Sequence, residues 1–265
     1  MGNTKSKKPV KAADRSPVKA ELSQPAKDSP RQAPPQNPSA KPSTPSSSKS
    51  VGTKASQKED GQAFSAKRLE EVFNKYKEEG EDEPMIGTTG MEKFCQDLEI
   101  DPEDVITLVI AYHLKAQQMG CFTKEEFMKG FEALGLDTLD KIKKHMPKFR
   151  AELDDAVTFK NIYRFTFDFS KEPQQKCIDI EIAQVLIGLL LVDRHALASS
   201  FLEFLKQQDS YKGLNVDQWT SLLEFCKTID VNFGNYDENG AWPCVLDEWV
   251  TWAKEKKEGE EGADS

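Results

Sequence analysis

The sequence predicts an all-α fold, in which about ten helices form a single domain behind a disordered N-terminal tail. Two observations support this prediction. From Phe64 onward, apolar residues recur at the three- and four-residue spacing of an amphipathic helix, and almost no segment alternates as a strand would. Before that point proline, serine and lysine are abundant and aromatic residues are absent. We therefore divide the chain into a tail, residues 1–62, a helical domain, residues 63–256, and an acidic C-terminus, residues 257–265, which we also expect to be disordered.

The tail and the body carry opposite charges. Residues 1–62 contain 12 Lys and Arg against 5 Asp and Glu, whereas the remaining residues contain 24 against 40. The tail also holds 9 of the 14 prolines and 11 serines, and it has no Phe, Tyr or Trp. Such a segment cannot bury enough apolar surface to offset the conformational entropy lost on ordering it. We therefore expect a disordered, basic tail rich in Ser, Pro and Lys.

The extreme N-terminus matches the pattern of an acylation site. The residues MGNTKS fit the M-G-x-x-x-[ST] pattern for N-myristoylation of Gly2. Four lysines lie within or just after this motif, and they are Lys5, Lys7, Lys8 and Lys11. A myristoyl chain alone binds membranes weakly, but a chain together with a basic cluster supplies the two signals that stable anchoring requires. The alternative is a solvated basic tail that happens to begin with Met-Gly.

The first two predicted helices cover Phe64 to Tyr76 and Met91 to Leu98. In the first of them, apolar residues at positions i, i+3, i+4 and i+7 form one stripe, which is typical of a helix packed against a core. Ser65 is a suitable N-cap for this helix, and Gly80 is suitable for ending it.

The third and fourth helices have stronger start signals. Asp101 is a good N-cap and Pro102 suits the first helical position, so a helix is predicted to begin there and run through Leu114. Thr123 and Glu126 form a capping box ahead of the next apolar stripe. The remaining predicted helices cover about residues 138–146, 150–168, 179–193, 196–208, 215–230 and 244–256.

The short helices arrive in pairs with glycine-containing turns between them, which predicts EF-hand-like helix-loop-helix units. Calcium binding by such a unit requires oxygen ligands at fixed loop positions and a glycine at the sixth. The nearest candidate loop, Asp237 to Glu248, has a suitable Glu at its twelfth position, but Ala241 occupies a ligand position, its glycine comes two places early and Pro243 occupies the seventh position. The three histidines form no zinc-binding pattern, and the glycines form no phosphate-binding loop. We therefore expect no metal and no cofactor.

The composition of the body argues against several classes of protein. Its longest apolar run, Val185 to Val192, is too short to span a membrane and is flanked by charges, which indicates a buried core helix. The excess of acidic residues disfavours nucleic acid as a partner, since phosphates require Lys and Arg. The five cysteines are odd in number and form no CxxC pair, which is typical of free, mostly buried thiols in a reducing compartment. A Cys–His nucleophile assembled in space stays open, but a binding module is favoured over an enzyme.

One segment of the body combines acidic and aromatic residues. Residues 215–250 contain seven acids and one base, and all four tryptophans fall within residues 219–252. Asp217 and Asp247 each lie in the first turn of a predicted helix, and the run NYDENGAWP lies between them. A Trp-Pro loop holding two acidic helix starts together would form a negative face suited to a basic partner. The alternative is a solvated acidic face over a tryptophan core.

Four motifs in the body resemble the defective-in-cullin-neddylation (DCN1-like) family and its PONY domain. They are VDQW at 216–219, NYDENGAWPCVLDE at 235–248, YRFTFDF at 163–169 and FCQDL at 94–98, and the resemblance covers about residues 64–253. It implies a non-catalytic scaffold of a cullin neddylation ligase. Such a scaffold binds a cullin winged-helix domain and the N-acetylated N-terminus of the conjugating enzyme. It promotes transfer of the ubiquitin-like modifier by placing donor and acceptor together.

The resemblance also implies which residues bind each partner. Two carboxylates and a small residue would form the cullin face, namely Asp217, Ala241 and Asp247. The pocket for the acetylated terminus would be lined by Ile86, Ile110, Ala111, Phe122, Phe169 and Leu189. Helical spacing alone would instead assign these apolar positions to the core. The sequence departs from its relatives at three positions near the pocket, and they are Thr88, Leu114 and Leu186.

Two other functions stay open at this stage. One is an EF-hand-like, calcium-independent adaptor for an unrelated basic protein. The other is a ligase that carries the modifier on one of its own thiols. On the favoured interpretation we expect a protein of the cytoplasm and nucleus, with a membrane-associated pool held by the acyl group and the basic tail.

Overall fold

The computed structural model describes residues 63–78 and 84–263, so the predictions for residues 1–62, for Gly2 and for Gly80 lie outside the described residues. It confirms the all-α prediction, since these ranges contain ten helices and four very short strands. The helices are α1 Ala66–Tyr76, α2 Thr88–Leu98, α3 Ile106–Leu114, α4 Lys124–Ala133, α5 Leu139–Glu152, α6 Ala156–Ser170, α7 Ile180–Leu191, α8 Ala196–Gln207, α9 Val216–Thr228 and α10 Cys244–Ala263. The strands are β1 Met85–Ile86, β2 Phe122–Thr123, β3 Cys177–Asp179 and β4 Gly213–Asn215.

The strands join the helices into two pairs of helix-strand-helix units. β1 and β2 are antiparallel, with Met85 opposite Thr123 and Ile86 opposite Phe122, and they link the α1–α2 unit to the α3–α4 unit. β3 and β4 are also antiparallel and link the α6–α7 unit to the α8–α9 unit. This arrangement is the EF-hand-like pairing that the sequence predicted.

Side-chain caps fix the beginnings of two helices where the sequence predicted them. The Ser65 hydroxyl accepts a hydrogen bond from the backbone N–H of Arg68 at 3.5 Å, so α1 is capped as expected. The Thr123 hydroxyl accepts from the Glu126 N–H at 3.2 Å, and the Glu126 carboxylate accepts from the Thr123 N–H at 2.8 Å. This reciprocal capping box satisfies two backbone donors that the first turn of α4 leaves without helical partners.

The predicted helix start at Asp101 is wrong, because α3 begins at Ile106. The Asp101 carboxylate accepts a hydrogen bond from the N–H of Glu103 at 2.9 Å, and the Asp104 carboxylate accepts one from Ile106 at 2.9 Å. Asp side chains that bond to the backbone two residues ahead stabilise turns in competition with helix. Pro102 therefore occupies a turn rather than the first position of a helix.

The predicted break near residue 147 is also wrong. α5 continues through Pro147 to Glu152, and α6 then begins behind an Asp155 cap. An internal proline costs about 3 kcal/mol relative to alanine in an exposed helix. Here the buried face of α5 continues on both sides of Pro147, with Met146 before it and the fully buried Phe149 after it. Tertiary packing thus overrides the local preference.

The last helix is longer than predicted. We expected residues 257–265 to be disordered, but α10 continues to Ala263. The segment 254–261 consists of Lys and Glu with a single glycine. Lys and Glu are good helix formers, so the helix continues beyond the part that packs on the core.

A reciprocal pair of side chains fastens α6 to α9. The rings of Tyr163 and Trp219 stack with centroids 4.5 Å apart, and both side chains are fully buried. The Tyr163 hydroxyl donates to the backbone carbonyl of Trp219 at 2.8 Å, and the Trp219 indole N–H donates to the carbonyl of Tyr163 at 2.9 Å. Complete burial raises the pKa of Tyr163 well above its usual value, so the hydroxyl stays a donor. The pair fixes where α9 begins relative to α6.

The apolar run Val185 to Val192 forms most of α7. No helix in the part of the chain that the structure describes is long and apolar enough to cross a membrane. The prediction that this run is simply a buried core helix is wrong at Val185, which is 62% exposed. From Val185 to its C-terminal end α7 contains only apolar residues and one glycine, so side chains there that do not pack on the core are left as exposed apolar surface.

All five cysteines are free, as predicted. The expectation that most are buried is wrong. Cys95 and Cys226 are buried, Cys121 and Cys177 are half-buried, and Cys244 is exposed. The two buried thiols lie on the buried faces of α2 and α9.

Candidate functional site

The three residues assigned to the cullin face will be called the acidic patch, namely Asp217, Ala241 and Asp247. Asp217 lies in the first turn of α9 and is exposed. Asn215 and Gln218 form a capping box with two hydrogen bonds of 2.9 Å, which fixes this turn. A carboxylate at a helix N-terminus is favoured by the helix dipole.

Asp247 lies in the first turn of α10 and is held by an aromatic neighbour. The hydroxyl of Tyr236 donates a hydrogen bond to Oδ1 of Asp247 at 2.5 Å. Burial and this carboxylate together raise the pKa of Tyr236 above its usual value, so the phenol stays protonated and remains a donor. The ammonium group of Lys254 lies 5.6 Å from the centre of the Tyr236 ring on the same side of α10. The orientation of Asp247 is thus determined by Tyr236.

Ala241 lies in the loop between α9 and α10, which is fixed by polar bonds at its start and by aromatic packing. The Asn235 side chain accepts from the N–H of Asp230 at 2.8 Å and donates to the carbonyl of Thr228 at 2.8 Å. Phe233 adopts a left-handed conformation, with φ of 58°, and its ring packs 5.5 Å from that of Trp249. The loop therefore presents Ala241 from a fixed backbone.

The two carboxylates of the patch begin neighbouring helices. α9 and α10 pack together through Phe225 and Trp249, whose ring centroids are 5.2 Å apart. Trp242, next to Ala241, packs edge-on against Phe225 at 5.0 Å. Within residues 63–78 and 84–263, neither Asp217 nor Asp247 forms an ion pair. The patch is therefore a negative surface available to a cationic partner.

The second candidate site is an apolar cavity of about 410 Å³ between α2, α3 and α7. Four of the six residues predicted for the conjugating-enzyme pocket line it, and they are Ala111, Phe122, Phe169 and Leu189. Ile86 and Ile110 do not line it; both are buried in the core, and Ile110 lines a separate small space that shares Met91, Cys95, Thr107 and Phe122 with the cavity wall. The wall is completed by Thr88, Met91, Glu92, Cys95, Pro102, Glu103, Thr107, Leu108, Met119, Gly120, Val185 and Leu186.

Exposed apolar side chains surround this cavity. Met119 is 41% exposed, Val185 is 62% exposed and Leu189 is 36% exposed, and all three line it. Exposed apolar surface next to a cavity of ligand-binding size is typical of a docking site. The sequence interpretation missed Val185 and Met119. The signal for Val185 was present, because the helix is uninterruptedly apolar from Val185 onward and cannot bury every face of that part.

The buried thiols are poorly suited to nucleophilic chemistry. Burial raises the pKa of Cys95 to about 11 and the pKa of Cys226 to about 12. Burial and the nearby Glu126 also raise the pKa of Cys121. Because the thiolate is the reactive form, these groups are held in the unreactive state at neutral pH. In the described ranges, no group of three or more His, Cys, Asp or Glu side chains is arranged to hold a metal ion.

Comparison with known proteins identifies a family model and several relatives that this chain matches. A family model described as cullin binding matches residues 141–252, a range that includes the whole acidic patch. The chain is 45% identical over 200 residues to DCN1-like protein 4 of Homo sapiens, covering 76% of this chain and 67% of that protein. It is 44% identical over 203 residues to DCN1-like protein 4 of Danio rerio, covering 77% and 71%. It is also 44% identical over 191 residues to DCN1-like protein 5 of Homo sapiens, covering 72% and 79%.

Proposed function

This chain belongs to the DCN1-like protein family, and from that premise we propose that it is a non-catalytic scaffold in cullin neddylation. In this role it binds a cullin and a conjugating enzyme at separate surfaces. The observation that carries the proposal is the acidic patch, in which two carboxylates that form no ion pair with the described residues begin α9 and α10, and an exposed alanine lies in the loop that joins these helices. The matched cullin-binding region contains all three of these residues.

The acidic patch is proposed to bind the cullin winged-helix domain. Asp217 and Asp247 would pair with Lys or Arg side chains of the cullin, and Ala241 between them would allow close approach of the partner backbone. The surrounding segment, residues 215–250, has seven acids and one base, which favours rapid encounter with a basic surface.

The apolar cavity is proposed to bind the N-acetylated N-terminus of the conjugating enzyme. Acetylation removes the charge of the amino terminus, so the first residue can be buried without leaving an unpaired cation. The volume of about 410 Å³ and the apolar walls formed by Ala111, Phe122 and Leu189 support this assignment. Thr88 and Leu186, two of the positions at which the sequence departs from its relatives, also line the cavity and would affect which enzyme is preferred.

Rate enhancement would come from positioning alone. A cullin on the acidic patch and a charged conjugating enzyme on the cavity are brought together on one protein, which raises the effective concentration of the thioester near the acceptor lysine. The raised pKa values of Cys95, Cys121 and Cys226 disfavour these three thiols as carriers of a covalent intermediate.

The test is reconstituted cullin modification with purified components, with and without this protein. We expect stimulation by the wild type and loss of cullin binding and stimulation in the double variant Asp217→Arg, Asp247→Arg. Glu132→Arg, an exposed charge reversal on α4, serves as the control and should behave as the wild type. Stimulation that survived the double reversal would refute the assignment of the patch. A reducible thioester between the modifier and this chain would instead support a thiol relay.

For the N-terminal tail, which lies outside the described residues, we propose membrane anchoring of a part of the population by a myristoyl group on Gly2 and the adjacent lysines. The remainder would be cytoplasmic and nuclear. The test is incorporation of a labelled myristate analogue and sedimentation with anionic vesicles. Incorporation that persisted in Gly2→Ala would contradict the proposed acylation site.

A further inference from the structure

The wall of the apolar cavity carries charge of only one sign. Two of its lining residues are acidic, Glu92 on α2 and Glu103 in the turn before α3. Of the described residues that line the cavity, none is Lys, Arg or His. Both carboxylates are exposed, so they lie at the mouth of the cavity rather than in its depth.

These two carboxylates have no cation to neutralise them within the described part of the molecule. By contrast, Asp104, the next residue after Glu103, forms an ion pair with Arg150, and Glu99 at the C-terminal end of α2 forms one with Lys143. Neither Glu92 nor Glu103 has such a partner in residues 63–78 and 84–263. A charge beside a low-dielectric apolar cavity attracts an opposite charge more strongly than the same charge in open water.

A ligand terminus that enters the cavity must be uncharged, because burying an ammonium group against Ala111, Phe122 and Leu189 would carry a large desolvation cost. An extended chain advances about 3.4 Å per residue. The side chains of the next few ligand residues therefore reach the mouth, where Glu92 and Glu103 lie. A basic side chain at one of those positions would remain in contact with solvent while facing both carboxylates.

We propose that Glu92 and Glu103 determine specificity for a partner N-terminus that begins with a large apolar residue and carries Lys or Arg within its first five residues. This proposal rests on the proposed function of the cavity as a site for an uncharged N-terminus. It adds the requirement for a positive charge just behind that terminus. The apolar walls provide the affinity, and the two carboxylates discriminate among apolar termini of similar size.

The test uses the full chain and two fluorescent N-acetylated peptides that both begin Met-Leu. One has Lys at positions three and four, and the other has norleucine, which keeps the aliphatic stem without the charge. We expect the wild type to bind the Lys peptide about fivefold more tightly at low salt, as two solvent-exposed ion pairs would give. The preference should shrink at high salt, since exposed charges are screened. It should disappear in Glu92→Gln, Glu103→Gln and persist in the control Glu132→Gln.

The outcomes separate this proposal from the function of the cavity. Equal binding of both peptides by the wild type, or a preference that survives the double variant, would overturn the role of Glu92 and Glu103 while leaving the cavity assignment intact. Failure of both peptides to bind would overturn the cavity assignment and the present proposal together. A further norleucine peptide with a free amino terminus would bind more tightly than its acetylated form if Glu92 and Glu103 recognised the terminal ammonium, and the double variant would lose that gain. This result would also overturn the proposal.

Discussion

The phenol oxygen of Tyr236 lies 2.5 Å from Oδ1 of Asp247 and donates a hydrogen bond to it, so a loop residue orients a carboxylate on the first turn of α10. Glu248, the next residue of α10, accepts a similar hydrogen bond from the Tyr211 hydroxyl at 2.7 Å. In both pairs a tyrosine hydroxyl donates a hydrogen bond to a carboxylate of α10. Only the first includes a residue of the acidic patch.

Tyr236→Phe should weaken cullin binding about threefold to tenfold, because Asp247 loses the donor that fixes its orientation. The matched variant Tyr211→Phe loses an equivalent bond and should bind the cullin as the wild type does. Affinity for the isolated winged-helix domain, measured by calorimetry, checks the difference. Equal loss in both variants would show that the bonds act only through the stability of α10.

Leu189→Asp should reduce affinity for an N-acetylated, Met-initiated peptide at least tenfold, because it introduces a charge into the apolar wall that receives the terminus. Leu189 is already partly exposed, so the fold should tolerate the change. Val157→Asp introduces the same charge at an exposed position on α6 and is the control. Fluorescence polarisation checks peptide binding, and cullin binding should be unchanged in both variants. Normal peptide binding by Leu189→Asp would place the terminus elsewhere.

Acid should destabilise the body partly through Asp137, which is fully buried. Burial alone would raise the pKa of Asp137, but hydrogen bonds from Lys141, from the backbone N–H of Ser65 and from Arg68 outweigh it and lower the pKa to about 2. Because the folded-state pKa lies below the unfolded value, this stabilisation is present above about pH 4 and is lost as the pH falls towards 2.

Asp137→Asn should therefore lower the free energy of unfolding by about 2 kcal/mol at pH 7. This loss is smaller than that expected for a fully buried ion pair, because the side chains of Arg68 and Lys141 are partly exposed. The variant should also lose part of the pH dependence of stability between about pH 4 and pH 2. Urea unfolding at several pH values checks both effects. An unchanged acid dependence would contradict the role assigned to this carboxylate.

Tyr163→Phe should lower the free energy of unfolding by about 1 kcal/mol, because it removes the buried hydrogen bond to the carbonyl of Trp219 while keeping the stacked ring. Tyr112→Phe is the control, since the Tyr112 hydroxyl forms no hydrogen bond with any part of the chain that is described. Thermal unfolding followed by circular dichroism checks the comparison. A loss of stability of similar size in both variants would mean that the hydrogen bond from Tyr163 to Trp219 does not contribute to stability.

Local signals predicted the fold where packing and local preference agree. The Ser65 cap and the Thr123–Glu126 capping box are confirmed, because they satisfy donors that any helix start must satisfy. The errors at Asp101 and near Pro147 have different physical origins, namely competition between two local preferences in the first case and between local preference and tertiary packing in the second. Asp101 and Asp104 bond to the turn, and the buried face around Pro147 keeps α5 continuous.

Sequence motifs predicted the acidic patch well but predicted the lining of the cavity only in part. The sequence predicted Asp217 and Asp247 in the first turns of two helices and Ala241 in the run between them, and the structure places all three there. For the cavity, periodicity cannot distinguish a wall from a core, since Ile110 and Ala111 are neighbours on one buried helix and only Ala111 lines the space. That distinction depends on how α7 lies against α3, which no local pattern encodes.

The ladder between β3 and β4 has a mechanical consequence. β3 leads directly into α7, which carries Val185 and Leu189 of the cavity, and β4 leads directly into α9, which carries Asp217. Three paired positions, with buried Ile178 opposite Leu214 at the centre, clamp the two helix starts together. On the proposed function, a substitution on one surface should change affinity for one partner only, while the backbone hydrogen bonds of this ladder keep the start of the cavity-lining helix α7 beside the start of α9.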